Sequence, residues 1–542
     1  MTKRFYCTKQ FGCPATHIRI RASIGRCCTD GTQKIIDIVA SLPQRRLKAQ
    51  NLRQSRSEKH IPGAVLYNSG NCFPSLSALE LLLPRISSLL PRSIFVLGCC
   101  AVASVGIQPF SVLAQNIVPL PAAAPPTVYV KAGHLFDATS DQLRENVVLV
   151  IDGERISKVG PAAEVSIPAG AKVVDLSNDW VLPGLIDCHT HLEFRADQYD
   201  PINDVRQTPF MGGFNGVVNA NRTLQAGFTS VRDVGSQPFF AVDLRKAIDS
   251  GFIPGPRVVA SGPGISITGG HGDMNGFAPA VSNMMYPEEK DFQIADGPDE
   301  VRKVVRAQVK YGVDVIKILA TGGVLSAGDK PGAEQFTYDE LKVAVDEAHR
   351  AGRKIAAHAH GTQGIKDAVR AGIDSIEHGS LIDAEGIELM KQHGTYLVAD
   401  IYNDDYILGK AVEFGLPKEN VDKEKMVGRL QRENFAKAVA AGVKIAFGTD
   451  AGVYPHGDNA KQFHYMVKFG MTPAGAIRAA TSSAADLIDR DKDVGTLQAG
   501  KYADLIAVTA NPLDKVEVLE HVSFVMKGGK VYKDEVAAAG KP

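Results

Sequence analysis

TYDELKVAVDEAHRAGRKIAAHAHG, residues 337–361, carries two kinds of pattern in twenty-five residues. Apolar residues first recur at i, i+3 and i+4 and stop at a glycine, Gly352, which predicts an amphipathic helix and its end. A short apolar run comes next and closes on two histidines, His358 and His360. Side chains on a strand alternate, so residues two apart share a face. The same alternation of strand and helix extends in both directions. Strand-like runs lie in VLPGLIDCHTH, GFTSVRDVG, RVVASG, VDVIKILATGG, RKIAAHAHG, IDSIEHGS, TYLVAD and VKIAFGTDAG. Eight such repeats predict an α/β fold, a (β/α)8 TIM barrel rather than a doubly wound sheet. Polar residues gather at the C-terminal ends of these runs, where barrels of this kind place their active sites.

A different strand pattern brackets the barrel. TVYVKAGHLFD, NVVLVIDGERISKVG and AKVVDLS precede it, and the Asp-Gly pair in the second signals a hairpin. GTLQAGKYADLIAVTA and VSFVMKGGKVYK, with a Gly-Gly turn, come after it. These runs predict a small β-sandwich built from residues 116–182 and 494–542, around a barrel at 183–493. LPGL, residues 182–185, reads as the join.

The 542 residues have a formal net charge of zero and are 44% hydrophobic, as in an ordinary globular protein. The zero conceals a split. Residues 1–92 hold 15 Lys and Arg against 4 Asp and Glu, 93–115 hold no charge, and 116–542 hold 45 against 56. An acidic body excludes nucleic acid as a partner, because phosphate binding needs a basic face. Seven of the eight cysteines lie at or before Cys100, so the body has only Cys188 and no internal disulfide. Residues 92–115, RSIFVLGCCAVASVGIQPFSVLAQ, have a basic start, an apolar run too short for a stable membrane span, and a small-residue cleavage site after Ala114. The segment 93–115 reads as a signal peptide, which predicts a periplasmic or secreted protein; without that role the chain is cytoplasmic. The competing reading is a buried helix in an N-terminal domain. Residues 1–92, basic and aperiodic, read as an extension that is disordered or absent from the mature protein. PLPAAAPP, residues 119–126, reads as a linker.

Strand one ends in His189 and His191, which alone are either a metal clamp or an accident of composition. Strand four places Lys317 between isoleucines. An unpaired buried ammonium is expensive, so this lysine snorkels out, pairs with a carboxylate, or is converted to a carbamate that bridges two metals. Strand five supplies His358 and His360, strand six His378 and strand eight Asp450. Histidine and carboxylate at a barrel mouth are the ligand types of a hydrolytic zinc site.

HTH, IKI, HAHG, EHG and GTDAG stand in that order on strands one, four, five, six and eight. In this set the chain resembles the amidohydrolase superfamily, over about residues 130–533. The resemblance implies two zinc ions bridged by hydroxide and by carboxylated Lys317. His189, His191 and Asp450 would hold one ion, and His358 and His378 the other. AAHAHG with IEHG, and ITGGHGD after strand three, are similar to the prolidase-like branch (Xaa-Pro dipeptidases and carboxypeptidases). That branch implies His358 as the ligand of its pair and leaves His360 for substrate. His271 would then sit beside the scissile carbonyl or the substrate carboxylate; the plain alternative is a loop histidine. Within the branch the chain looks similar to bacterial amidohydrolases that cleave ochratoxin A, an amide of phenylalanine.

By this resemblance the substrate is a small-molecule N-acyl amino acid or dipeptide with a free carboxylate, and the enzyme is expected to be a homo-oligomer. Asp450 would move a proton from the attacking hydroxide to the leaving nitrogen, and His271 would help hold the developing oxyanion. His360, Arg232 and Lys330 are candidates for the substrate carboxylate, and Arg232 equally fits a structural pair with Asp233. The Gly-rich loop 320–336 borders the pocket as a candidate lid. Tyr402 and Tyr406 are stacking candidates or simply packed on the barrel. Two other functions fit the pattern: a cyclic-amide hydrolase of the imidazolonepropionase or hydantoinase type, and an inactive scaffold.

Overall fold

The computed structural model describes residues 127–536, apart from 198–205, 207 and 286–288. Contacts divide the chain into Met1–Gln115 and Asn116–Pro542, and every described residue falls in the second unit. The basic extension, the signal-peptide-like segment and the linker lie outside the described residues.

Four strands open the described chain: β1 (Val128–Leu135), β2 (Arg144–Asp152), β3 (Arg155–Pro161) and β4 (Lys172–Pro183). The Asp-Gly hairpin joins β2 to β3, with Asp152 opposite Arg155 and Gly153 at φ +64°, a conformation that suits glycine. Gly184 alone separates β4 from the next strand, and a Cβ there would fall 2.1 Å from Thr229 Oγ1. The join in LPGL is therefore one residue long and tightly packed.

Seven strands then alternate with helices: β5 (Leu185–Thr190), β6 (Phe228–Asp233), β7 (Arg257–Ala260), β8 (Val315–Leu319), β9 (Lys354–Ala359), β10 (Ser375–His378) and β11 (Tyr396–Val398). They pair in parallel as β5-β6-β7 and β8-β9-β10-β11. Single bridges connect the two sheets into a ring. Ile265, just past β7, pairs with Ile318 of β8. The run 444–451 pairs with β11 through Leu397 and Ile445, and with β5 through Thr190 and Ala451. Cys188 N donates to Phe447 O at 2.8 Å along the same seam. Residues 337–361 fold as their pattern predicts. Thr337 and Glu340 form a reciprocal capping box at the start of helix Tyr338–Arg350, and Gly352 lies just past its end at φ +66°. Inside the ring, Ile186 and Cys188 share a core with Val259, Val315, Val398 and Ala446.

After the barrel come β12 (Leu505–Val508), β13 (Phe524–Lys527) and β14 (Lys530–Asp534). The two ends of the chain meet in one seven-stranded sheet, ordered β14-β13-β12-β4-β1-β2-β3. Among the described residues no helix is long and apolar enough to cross a membrane.

Candidate metal centre

Backbone irregularity aims the strand-end residues. Alternation that sends Ile186 and Cys188 into the barrel core would turn His189 away from it. The β5–β6 register shifts between Asp187 and Thr190, a bulge that re-aims the side chains at the strand end. His378 and Asp450 sit at φ +68° and +58°. Positive φ is costly for residues with a Cβ and persists where surrounding structure imposes it, often at functional sites.

These side chains converge. His189 Nε2 lies 3.4 Å and His191 Nε2 3.0 Å from Asp450 Oδ1. Ligand atoms of His189, His378 and Asp450 lie within 4.8 Å of one another, as do those of His358, His360 and His378. His378 thus belongs to both groups. The structure brings His358 and His360 equally into reach; His358 Nε2 is also 3.3 Å from Gly322 O. Lys317 is 2% exposed. Burial pushes its amine down to about 8, against the pull of Glu377 and Asp450.

A second layer of residues orients the imidazoles. His191 Nδ1 donates to Gly235 O at 2.7 Å, which leaves Nε2 toward Asp450. His378 Nδ1 is 2.8 Å from Asp400 Oδ1, and His360 Nδ1 is 2.7 Å from Ser380 Oγ. Such outer partners fix the tautomer and direction of metal-binding histidines. Burial works against charge on His378, but Asp400 outweighs it and raises the imidazole. Burial likewise opposes charge on His191, and Asp450 outweighs it. Asn403 Nδ2 links the two carboxylates, at 2.6 Å from Asp400 Oδ2 and 3.3 Å from Asp450 Oδ2. Gln431, on helix Lys418–Ala441, donates to Asp400 Oδ1 at 2.7 Å. The sequence pattern singles out none of Asp400, Asn403, Ser380 and Gln431. Position is the available signal, since Asp400 and Asn403 fall just past a strand end, in VADIYN.

His271 joins the cluster. Its ring stacks on His358 at 4.2 Å between centroids, and burial pushes its pKa down to about 4. Arg232 does not pair with Asp233. It is 1% exposed and donates to Cys188 O, Ser375 Oγ and Glu377 Oε1 at 2.5, 3.0 and 2.7 Å. Asp233 instead accepts from Leu192 N. The guanidinium is taken up holding Glu377, whose Oε2 lies 2.9 Å from His189 Nδ1. Lys330 is exposed on the loop after β8. Tyr402 and Tyr406 are half-buried in an aromatic group with Tyr454, where Tyr402 meets Tyr454 edge-on at 4.8 Å. Phe194, missed by the sequence pattern, stacks on His191 at 5.3 Å and is 46% exposed.

The sequence profile of the amidohydrolase family matches residues 180–532. The chain belongs to the amidohydrolase family. Ochratoxinase of Aspergillus niger is 37% identical to this amidohydrolase over 424 residues, 74% of this chain and 86% of that protein. A crystal structure of a Xaa-Pro dipeptidase with methionine in its active site matches at TM-score 0.71 and 40% identity, covering 75% of this chain and 100% of that one. The crystal structure of A. niger ochratoxinase matches at TM-score 0.67 and 33% identity, covering 76% and 96%. This amidohydrolase is accordingly a hydrolase of amide bonds with a TIM-barrel-like α/β fold. The family is typically metal-dependent, and the donor set fits a metal: buried imidazoles oriented through Nδ1, a buried carboxylate, and the buried amine of Lys317.

Proposed function

We propose that the chain is a binuclear zinc hydrolase that releases amino acids from N-acyl amino acids and dipeptides with a free C-terminal carboxylate, ochratoxin A among them. The observation that carries this reading is the shared position of His378 between two ligand groups, one with His189 and Asp450 and one with His358 and His360. His189, His191 and Asp450 would hold one ion and His358 and His378 the other, with Lys317 as the residue that would be carboxylated. A lysine whose pKa is pushed down to about 8 supplies the neutral amine that adds CO2. Bound zinc supplies Lewis acidity toward the amide oxygen and lowers the pKa of water to roughly 7.

The chain's own residues do the rest. Asp450 takes the proton of the attacking water on a carboxylate oxygen and gives it to the leaving nitrogen, which an amide needs because its amine leaves poorly unprotonated. Asn403, whose Nδ2 lies 3.3 Å from Asp450 Oδ2, holds that carboxylate in place. Phe194 offers an exposed aromatic face against His191, suited to an apolar acyl group or side chain. The domain division in the same proposal is a barrel over 183–493 and a sandwich over 116–182 and 494–542. Leu149 and Ile151 of β2 share one core with Phe524 and Met526 of β13, which supports folding of that sheet onto itself.

The test is release of free amino acid from a panel of acylated amino acids, dipeptides, ochratoxin A and cyclic amides, with zinc measured on the same sample. The reading expects release from aromatic N-acyl amino acids and two zincs per chain. Turnover confined to cyclic amides, or fewer than two zincs in folded protein, would sink it.

A further inference from the structure

Arg232 spans the barrel from inside. It lies on β6, the second strand of the ring, and reaches Ser375 and Glu377 on β10, the sixth strand and so the opposite wall. Ser375 and Glu377 are two residues apart and share the inward face. The strut is enclosed, with Glu377 0% and Arg232 1% exposed. One carboxylate oxygen takes up its donors. Glu377 Oε1 accepts from Arg232 Nη2 at 2.7 Å and from Ser375 Oγ at 2.5 Å. Ser375 Oγ in turn accepts from Arg232 Nη1 at 3.0 Å, and Arg232 Nε donates to the carbonyl of Cys188, next to His189. The other oxygen, Oε2, faces His189 Nδ1 at 2.9 Å. Both of these atoms are sealed from solvent and hydrogen-bond to nothing else.

Arg232 and Glu377 form a salt bridge, and a carboxylate only accepts. His189 Nδ1 must therefore carry the hydrogen that lies between ring and carboxylate, whether the ring is neutral or charged. The nitrogen left over is Nε2, which points toward Asp450 Oδ1 at 3.4 Å. A buried ion pair is weak support for a fold, since apolar residues of similar volume serve as well or better. We propose that Arg232 and Glu377 are positioning residues that hold the His189 imidazole with Nδ1–H on the carboxylate and Nε2 offered to a metal ion. This rests on the binuclear zinc reading. The strut serves the ion of His189, His191 and Asp450, while the ion of His358 and His378 has a separate support in Asp400.

Glu377→Gln is the diagnostic change. Arg232 and Ser375 offer hydrogens to this position, so they keep the amide oxygen, and the amide NH2 lands opposite His189. Nδ1 must then accept, and the ring hydrogen moves to Nε2, where it blocks coordination. Zinc affinity is measured by competition with a chromophoric chelator on wild type, Glu377→Gln and Arg232→Lys, with circular dichroism and Tm on the same samples. In Glu377→Gln one zinc per chain weakens by about 10- to 100-fold, and the other keeps its wild-type affinity. Arg232→Lys keeps the charge but lacks the fork that spans Cys188, Ser375 and Glu377, and it weakens the same ion by less. A purely structural strut would lower Tm and loosen both ions together. That result, or two ions of unchanged affinity, would overturn the proposal. Wild-type protein that binds fewer than two zincs would instead overturn the functional reading. Nitrogen-15 spectra of histidine-labelled protein, with His189 assigned through His189→Gln, still decide in that case. Wild type carries a hydrogen on Nδ1 and Glu377→Gln has lost it. A bare Nδ1 in the wild type, or the same His189 signals in both proteins, refutes the proposal. Where Glu377→Gln fails to fold, Arg232→Lys and the wild-type spectrum decide.

Discussion

Asp450 combines four features at one position: positive φ, burial, contact with two histidines, and a hydrogen bond from Asn403. Asp450→Asn keeps the volume and removes the proton carrier. The expected outcome is a loss of kcat by at least about a hundredfold, the usual worth of a general acid–base group, with far-UV circular dichroism unchanged. Activity equal to wild type would contradict the role. The candidate ligands are legible in the sequence because histidine, lysine and aspartate at strand ends are chemically conspicuous. Their partners are not. Asp400 and Asn403 look like ordinary loop residues in VADIYNDD, and only the folded chain shows them touching His378 and Asp450. Arg232 misleads for the opposite reason. An arginine near a strand end suggests a substrate contact or a pair with Asp233, whereas its donors run across the barrel to Ser375 and Glu377.

Helix Lys418–Ala441 does more than cover a strand. Near its start Lys423 anchors Asp329, and two turns later Gln431 reaches Asp400. Between them lies Glu424, 4% exposed. Gly428 leaves space for two carboxyl groups, since a Cβ there would fall 2.4 Å from Asp404 Oδ1 and 2.7 Å from Glu424 Oε1. Burial, with Asp404 and Asp400 nearby, pushes Glu424 up to about 8 from an ordinary 4.5. A folded-state pKa above the unfolded value means stability that is complete below the unfolded pKa and is lost as pH rises through the folded one. Glu424→Gln should therefore match wild type near pH 4.5 and melt higher than wild type near pH 8.5. A constant difference in Tm across that range would show that Glu424 does not titrate as its surroundings dictate. The helix itself ends where a glycine predicts, with Gly442 at φ +81°, but periodicity alone cannot reveal which polar residues on it face the site.

At the scale of the molecule, strand and helix alternation is enough to foresee eight repeats, because local apolar spacing reports which face is buried. It cannot foresee how the eighth strand closes the ring, with Cys188 N, Asp450 N and His191 N donating across the seam to Phe447 O, His189 O and Ala451 O. Nor can alternation place His189, His378 and Asp450, whose directions depend on a bulge and on positive φ. Chelation of the zinc-loaded protein should abolish amide hydrolysis and lower Tm, and added zinc should restore both. A ligand at a hundred times its Kd contributes about 2.7 kcal/mol to the folded state. A Tm unmoved by chelation would mean that no metal is bound.

The seam that closes the ring between β5 and residues 444–451 gives the metal a mechanical task. Asp450 stands on one side of the closing seam and His189 and His191 on the other. An ion gripped by all three would act as a rivet across that seam, added to its backbone hydrogen bonds. Amide hydrogen exchange at 446–451 should then be slow in the loaded enzyme and quicken on metal removal, well ahead of exchange in β8–β10. The barrel would breathe at its active-site seam, and loss of the cofactor would be felt first as an opening of the wall.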